Sequence, residues 1–355
     1  MIGERIKRAR MAAGLSLREA AERAELSAMA ISKFERGEIT PSSSTLIRLA
    51  RALGTRTEYF LRPDSVTLEK PEYRKRAALG AKQLAAIEAE VLDHVERFLE
   101  LVQLFPSPPI QAFTVPKGVP RHVTSLDDVE RAATAARTAW GLGQSPIACL
   151  ADTLEERGLL VLTLNAVTDG KFDGLAARVG GFPFVVVGAE WPGDRQRFTL
   201  AHELGHLVLD GRLAEGIDEE KACHRFAGAF LAPREAVVLE LGQKRSRLEP
   251  RELYDLKQAY GLSMAAWLFR ARDSGVITPS TAESMFRQFS SKGWRKREPG
   301  EPLPPESPKL FERLTLRALA EDMISTSKAA ELLRMSAGEL RGKLSLEGSD
   351  GAARQ

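Results

Sequence analysis

From residue 3 to about 61, apolar residues recur at helix-like intervals, with Ile6, Ala9, Leu15, Leu17, Ala20, Ala21 and Ala24 marking short helices broken by brief polar turns. Ser16 and Ser27 each precede a helical run and are the expected N-caps. Over 81–105, Leu84, Ile87, Val91, Leu92, Val95, Leu99 and Leu101 draw one apolar stripe along a long helix, for which a spacer and a dimer contact are the two uses open. Prolines at 106, 108, 109, 116 and 120 end it. Further on, helices are predicted at 126–140 and 147–157, strands at 159–164, 175–179 and 183–188, and helices at 197–210, 219–232, 234–243, 249–260 and 263–274. A basic, proline-rich stretch separates a helical tail, 311–344, in which Ser325 is a cap. The chain is therefore expected to be mainly α, with a small α+β unit built on a sheet of about three strands. Its expected units are an all-helical domain at 1–65, a connecting helix and proline-rich linker at 66–124, the α+β domain at 125–290, a linker at 291–310, a helical element at 311–347 and a disordered tail at 348–355.

A length of 355 residues fits this multidomain plan. The 51 basic and 48 acidic residues are well mixed and leave a net charge of only +3, so any basic surface must be local. Two cysteines, Cys149 and Cys223, cannot form a disulfide framework, and the start of the chain lacks the order of a signal peptide. No apolar run approaches the roughly 20 residues of a membrane span. The expected location is the cytoplasm, with no membrane partner.

The strongest chemical signal is HELGH at 202–206. On a helix, His202 and His206 lie four apart on one face and can bind one zinc ion. Glu203 then stands beside the metal, where it can take a proton from water during attack on a carbonyl, the chemistry of peptide hydrolysis. A third ligand is required. Glu220 is the best candidate, with His224 four residues on as its supporting partner; His224 or Glu219 as ligand are the alternatives. Tyr260 and Arg270 are candidate donors to the oxyanion.

RFTLAHELGHLVL at 197–209 followed by EKACHRFAGAFLAP at 220–233 resembles the ImmA/IrrE metallopeptidases over roughly 125–290. The resemblance implies a zincin-like, gluzincin-type core in which His202, His206 and Glu220 bind zinc and Glu203 is the general base. Family members often carry Asn where this chain has His224. Residues 4–54 resemble the Xre-type, phage-repressor-like helix-turn-helix domain over its full length. That likeness places the helix after Ser27 in the major groove of double-stranded DNA, with Ala28, Ser32, Lys33 and Arg36 on the reading side. Leu17 and Ala28 stand where the family commonly has Gln. Residues 1–65 hold twelve basic and eight acidic side chains, a local +4 that attracts phosphate.

Together these features predict a DNA-binding, zinc-dependent endopeptidase with one zinc per chain, Mn2+ or Fe2+ being also compatible with the donors. By family resemblance its substrate is a specific regulatory protein, a repressor or antitoxin-like partner, cleaved in response to a signal. A homodimer through the helix-turn-helix domain and connecting helix is part of this expectation. The competing expectation is a DNA-binding regulator whose peptidase-like domain senses or docks without cleaving.

Overall fold

The structure, a computed structural model, describes residues 2–62, 69–73, 80–164, 172, 174–179 and 181–345. Five helices come first: α1 (Ile2–Ala12), α2 (Leu17–Ala24), α3 (Ala28–Glu35), α4 (Ser43–Ala52) and α5 (Thr57–Leu61). Ser16 caps α2 in a reciprocal box with Glu19, and the Ser27 hydroxyl accepts from the Ala30 amide at the start of α3. Their apolar faces close on Ile6, Ala20, Ile31, Leu49 and Phe60.

Strand β1 (Glu69–Tyr73) and the long helix α6 (Ala81–Gln103) follow, then α7 (Leu126–Ala139), α8 (Leu150–Glu156) and strands β2 (Leu160–Leu164), β3 (Gly174–Val179) and β4 (Phe182–Gly188). The sheet has the order β1-β3-β4-β2. Three of its strands are those expected; β1 is an addition, pairing antiparallel with β3 through an irregular register. β3 and β4 form an antiparallel hairpin, while β2 runs parallel to β4. Val185 and Val187 face one core with α7 to α10, and Phe184 and Val186 face a second, the period-two alternation of a strand buried on both sides.

Next come α9 (Gly193–Leu209), α10 (Glu219–Leu231), α11 (Arg234–Leu241), α12 (Pro250–Tyr260), α13 (Met264–Asp273) and α14 (Pro279–Ser291), the last of which the sequence pattern left unassigned. Three short helices complete the described chain: α15 (Leu310–Ala320), α16 (Thr326–Leu332), capped by Ser325 as expected, and α17 (Ala337–Ser345). The tail expected at 348–355 lies outside the described residues.

The stripe of α6 finds its cover within the chain. Ile87, Val91, Val95, Phe98 and Leu101 pack with Leu160, Phe184 and Val186 of the sheet and with Leu314, Ala318 and Leu332 of the terminal helices. The other side of α6 receives the helix-turn-helix unit. Arg5 of α1, almost wholly buried, pairs with Glu96 at 2.7 Å, and Arg8 reaches the same carboxylate at 3.1 Å. One turn earlier Asp93 collects Arg62, Arg97 and Arg334. Burial alone would raise the Asp93 carboxyl, but the three guanidiniums outweigh it and hold the group below the usual carboxylate range.

The stretch at 291–310 is stapled across the molecule. Glu298 accepts from the Met264 and Ala265 amides at the start of α13 and pairs with Lys257 at 2.8 Å. Glu306 accepts from the Leu150 and Ala151 amides and pairs with Arg197. Gly193 donates to the Leu303 carbonyl, and a side chain there would collide with the Pro304 carbonyl.

Buried Glu155 in α8 accepts from the Leu310 amide at 2.9 Å, and loss of solvation pushes its carboxyl up to about 7 despite that bond. Between the ordinary carboxyl range and about 7 the unfolded chain has released this proton while the folded chain keeps it, so rising pH removes stability. Urea unfolding of wild type should therefore lose stability between about pH 5 and about pH 8, and Glu155→Gln, which still accepts from Leu310, should flatten that slope. An identical slope in the variant would assign the pH dependence to another group.

Candidate metal centre

Helix α9 is sandwiched between the sheet and α10, so it is buried almost all round. Leu200, Ala201, Leu204 and Val208 enter the core with Phe226, Ala227 and Phe230 of α10. Phe198 and Leu207 on the same helix are only half-buried. The two helices cross closely at Gly205: a Cβ there would stand 3.3 Å from the Cys223 Cα and 3.3 Å from the Phe226 ring.

That crossing brings the candidates together. The Nε2 atoms of His202 and His206 are 3.0 Å apart, and the Glu220 carboxylate lies 3.6 Å from the first and 3.4 Å from the second. Glu219 is at the other side of His206, accepting from its Nδ1 at 2.9 Å. This bond fixes the ring and turns its Nε2 toward the cluster. The His224 Nδ1 donates to the Glu220 carbonyl at 2.7 Å, and its ring stands edge-on to His202 with centroids 4.6 Å apart. Phe198 stacks on the opposite flank of His224. Two groups among the described residues could hold a metal ion, His202 with His206 and Cys223, and His202 with Glu220 and His224. Sequence pattern did not single out Cys223; its signal was its place three residues, one helical turn, after Glu220.

His202 and Glu203 are buried, whereas the Glu220 side chain is 60% exposed. The cluster thus has a floor of core and one side open to solvent. Tyr260 and Arg270, the oxyanion candidates, are committed elsewhere: Tyr260 donates to Glu240 at 3.0 Å, and Arg270 binds Glu130 and the Ala232 carbonyl.

At the other end of the chain, Ala28, Ser32 and Arg36 follow one face of α3 at i, i+4 spacing, with Lys33 beside them. Ala28, Ser32 and Lys33 are half-buried and Met29 projects most, at 68% exposure. The Ser27 hydroxyl is occupied by its capping bond, and Arg36 pairs with Glu38 at 2.8 Å on the surface.

Fold and site define a two-part protein, a helix-turn-helix unit joined to a helical domain that carries His-Glu-x-x-His on a buried helix. Family models agree: one described as helix-turn-helix matches residues 6–60, and a peptidase-family model described as IrrE N-terminal-like domain matches residues 154–272. The chain thus combines a helix-turn-helix DNA-binding domain with an ImmA/IrrE-type peptidase-family domain. The HTH-type transcriptional regulator ImmR of Bacillus subtilis (strain 168) is 35% identical over 66 residues, covering 19% of this chain and 52% of that relative, so the chain spans about half the relative's length. No solved structure matches. No helix among the described residues is long and apolar enough to cross a membrane.

Replacing Gly205 tests the crossing. Gly205→Val should cost about 2 kcal/mol in urea unfolding, because its methyls have no room against α10, while Gly205→Ala should cost less. A valine variant as stable as wild type would show that this contact does not set the helix separation.

Proposed function

We propose that the chain is a DNA-binding metallopeptidase in which His202, His206 and Glu220 hold a zinc ion and Glu203 is the general base. The observation that carries this is the convergence of the donors: the two Nε2 atoms are 3.0 Å apart, and the Glu220 carboxylate brings Oε1 to 3.4 Å from His206 and Oε2 to 3.6 Å from His202. Tetrahedral zinc with bonds near 2.0–2.1 Å keeps its ligands about 3.3 Å apart. Glu219 bonds the far nitrogen of His206, and so orients a ligand without competing for its place. His224 spends its Nδ1 proton on the Glu220 backbone, which supports the helix turn that presents the Glu220 carboxylate.

Bound zinc would supply Lewis acidity toward water and the scissile carbonyl. Glu203, next to His202 and buried, offers a carboxylate to receive the proton of the attacking water and pass it to the departing amine. The half-open cluster admits an extended peptide from the Glu220 side. The helix-turn-helix domain would bring this activity to double-stranded DNA through Ser32, Lys33 and Arg36, and the substrate class in keeping with that pairing is a regulatory protein, a repressor or antitoxin-like partner. Manganese and iron suit the same donors, so metal supply decides occupancy.

Metal analysis of the purified protein is expected to give about one zinc per chain in wild type, none in Glu220→Ala, and a full complement in Glu203→Gln together with a loss of cleavage of about a thousandfold. Wild type that takes up no metal would replace this proposal with a regulator whose peptidase-like domain senses or docks. Replacing Lys33 and Arg36 by Ala should weaken DNA binding about tenfold and lower the salt slope by about 1 to 2. Unchanged binding would move the phosphate contacts off α3.

A further inference from the structure

Beside the histidine cluster lies a cavity of about 840 Å³, within the range of sites that take a compact ligand or short peptide segment. His224 and Phe198 belong to its wall. From them it runs along the groove between α9 and α10, past Asp194 and Arg195 on one side and Lys221, Arg225 and Gly228 on the other, to α13 and the stapled stretch Trp294–Glu298. Its walls combine rings, Trp191, Phe198, Phe269 and Trp294, with cations.

The sign of its charge follows from pairing. The carboxylates in the wall are Asp194, Asp273 and Glu298. Asp194 and Glu298 share Lys257, and Asp273 is held by Arg225 and Arg272. Arg225 and Arg270 are further neutralised by Glu130. Arg295 lies over the Phe286 ring, and no carboxylate among the described residues pairs with Arg295, Lys296 or Arg297. The acids are therefore spent inside the wall, and the surplus positive charge stands at the rim, above aromatic surface. A groove of this kind favours a segment that carries carboxylates between apolar side chains and disfavours a basic one.

We propose that this groove is the substrate-binding cleft of the peptidase domain, and that it selects an acidic, apolar peptide segment adjacent to the cleaved bond. The proposal rests on the metallopeptidase reading for its link to cleavage: the groove ends at His224, whose ring packs against His202, while the proposed ligands and Glu203 lie just beyond its lining. Its selectivity resides in Arg295, Lys296 and Arg297, with the ring-lined interior taking the apolar residues. Arg295, Lys296 and Arg297 are positioning residues for substrate, not participants in the chemistry.

Binding to the full-length Glu203→Gln protein, expected to cleave about a thousandfold more slowly, separates the two ideas. Fluorescence anisotropy would follow a labelled decapeptide alternating Leu and Glu, its Leu and Lys counterpart, and an oligothymidylate of similar length. The acidic peptide is expected to bind, more weakly as salt rises, and the basic one not. Changing Arg295, Lys296 and Arg297 together to Ala should weaken the acidic peptide about tenfold without altering zinc content. All three are exposed, so the variant should fold, which its unfolding curve and circular dichroism would verify. Equal binding of both peptides, an unchanged affinity in the triple variant, or tighter binding of the oligothymidylate would each overturn the proposal, the last in favour of a nucleic-acid contact. Selective binding of the acidic peptide with no metal in wild type would leave the cleft standing and overturn only the peptidase reading.

Discussion

The separation between α9 and α10 is the dimension on which the candidate metal centre depends. Both imidazoles ride on α9 and the carboxylate that faces them on α10, so these groups stay together only while the helix axes stay close. Gly205 permits that approach, and the apolar cluster of Leu200, Leu204, Phe226 and Phe230 enforces it. The glycine inside HELGH is therefore as much a part of the centre as the histidines, although it offers no ligand. Burial of α9 on nearly every side adds rigidity, which suits a site whose ligands must be held within a few tenths of an ångström.

Much of the fold was legible because its signals are local. Helical spacing placed His202 and His206 on one face, serine hydroxyls marked the starts of α2, α3 and α16, and strand-like runs located β2, β3 and β4. What escaped was what depends on distant partners. The stripe on α6 declares that one face is buried but carries no information about its cover, which proved to be the sheet and the terminal helices. β1 has a composition, EKPEY, that reads as polar linker, and only pairing with β3 makes it a strand. Cys223 was passed over because a lone buried cysteine has no distinguishing local pattern.

The stretch after α14 shows the same limit most clearly. Charged residues and prolines read as a solvated connector, yet two of its carboxylates, Glu298 and Glu306, each satisfy a pair of helix N-terminal amides. Those amides have no partners within their own helices, and sequence gives no means of matching them to acids more than thirty positions away. The wall of the groove beside the histidines is assembled by that match.

Arg5 and Arg8 on the first helix share the Glu96 carboxylate, and Arg62 at the end of the helix-turn-helix unit shares Asp93 with Arg334 from the far end of the chain. Breaking either cluster strands charge in a region with little water, at a cost of several kcal/mol. The two halves are in that sense geared rather than tethered: the helix-turn-helix unit and the helix that bears the histidines have a fixed bearing to one another. Were the first half seated in a groove of DNA, the direction in which the second half opens would be set as well.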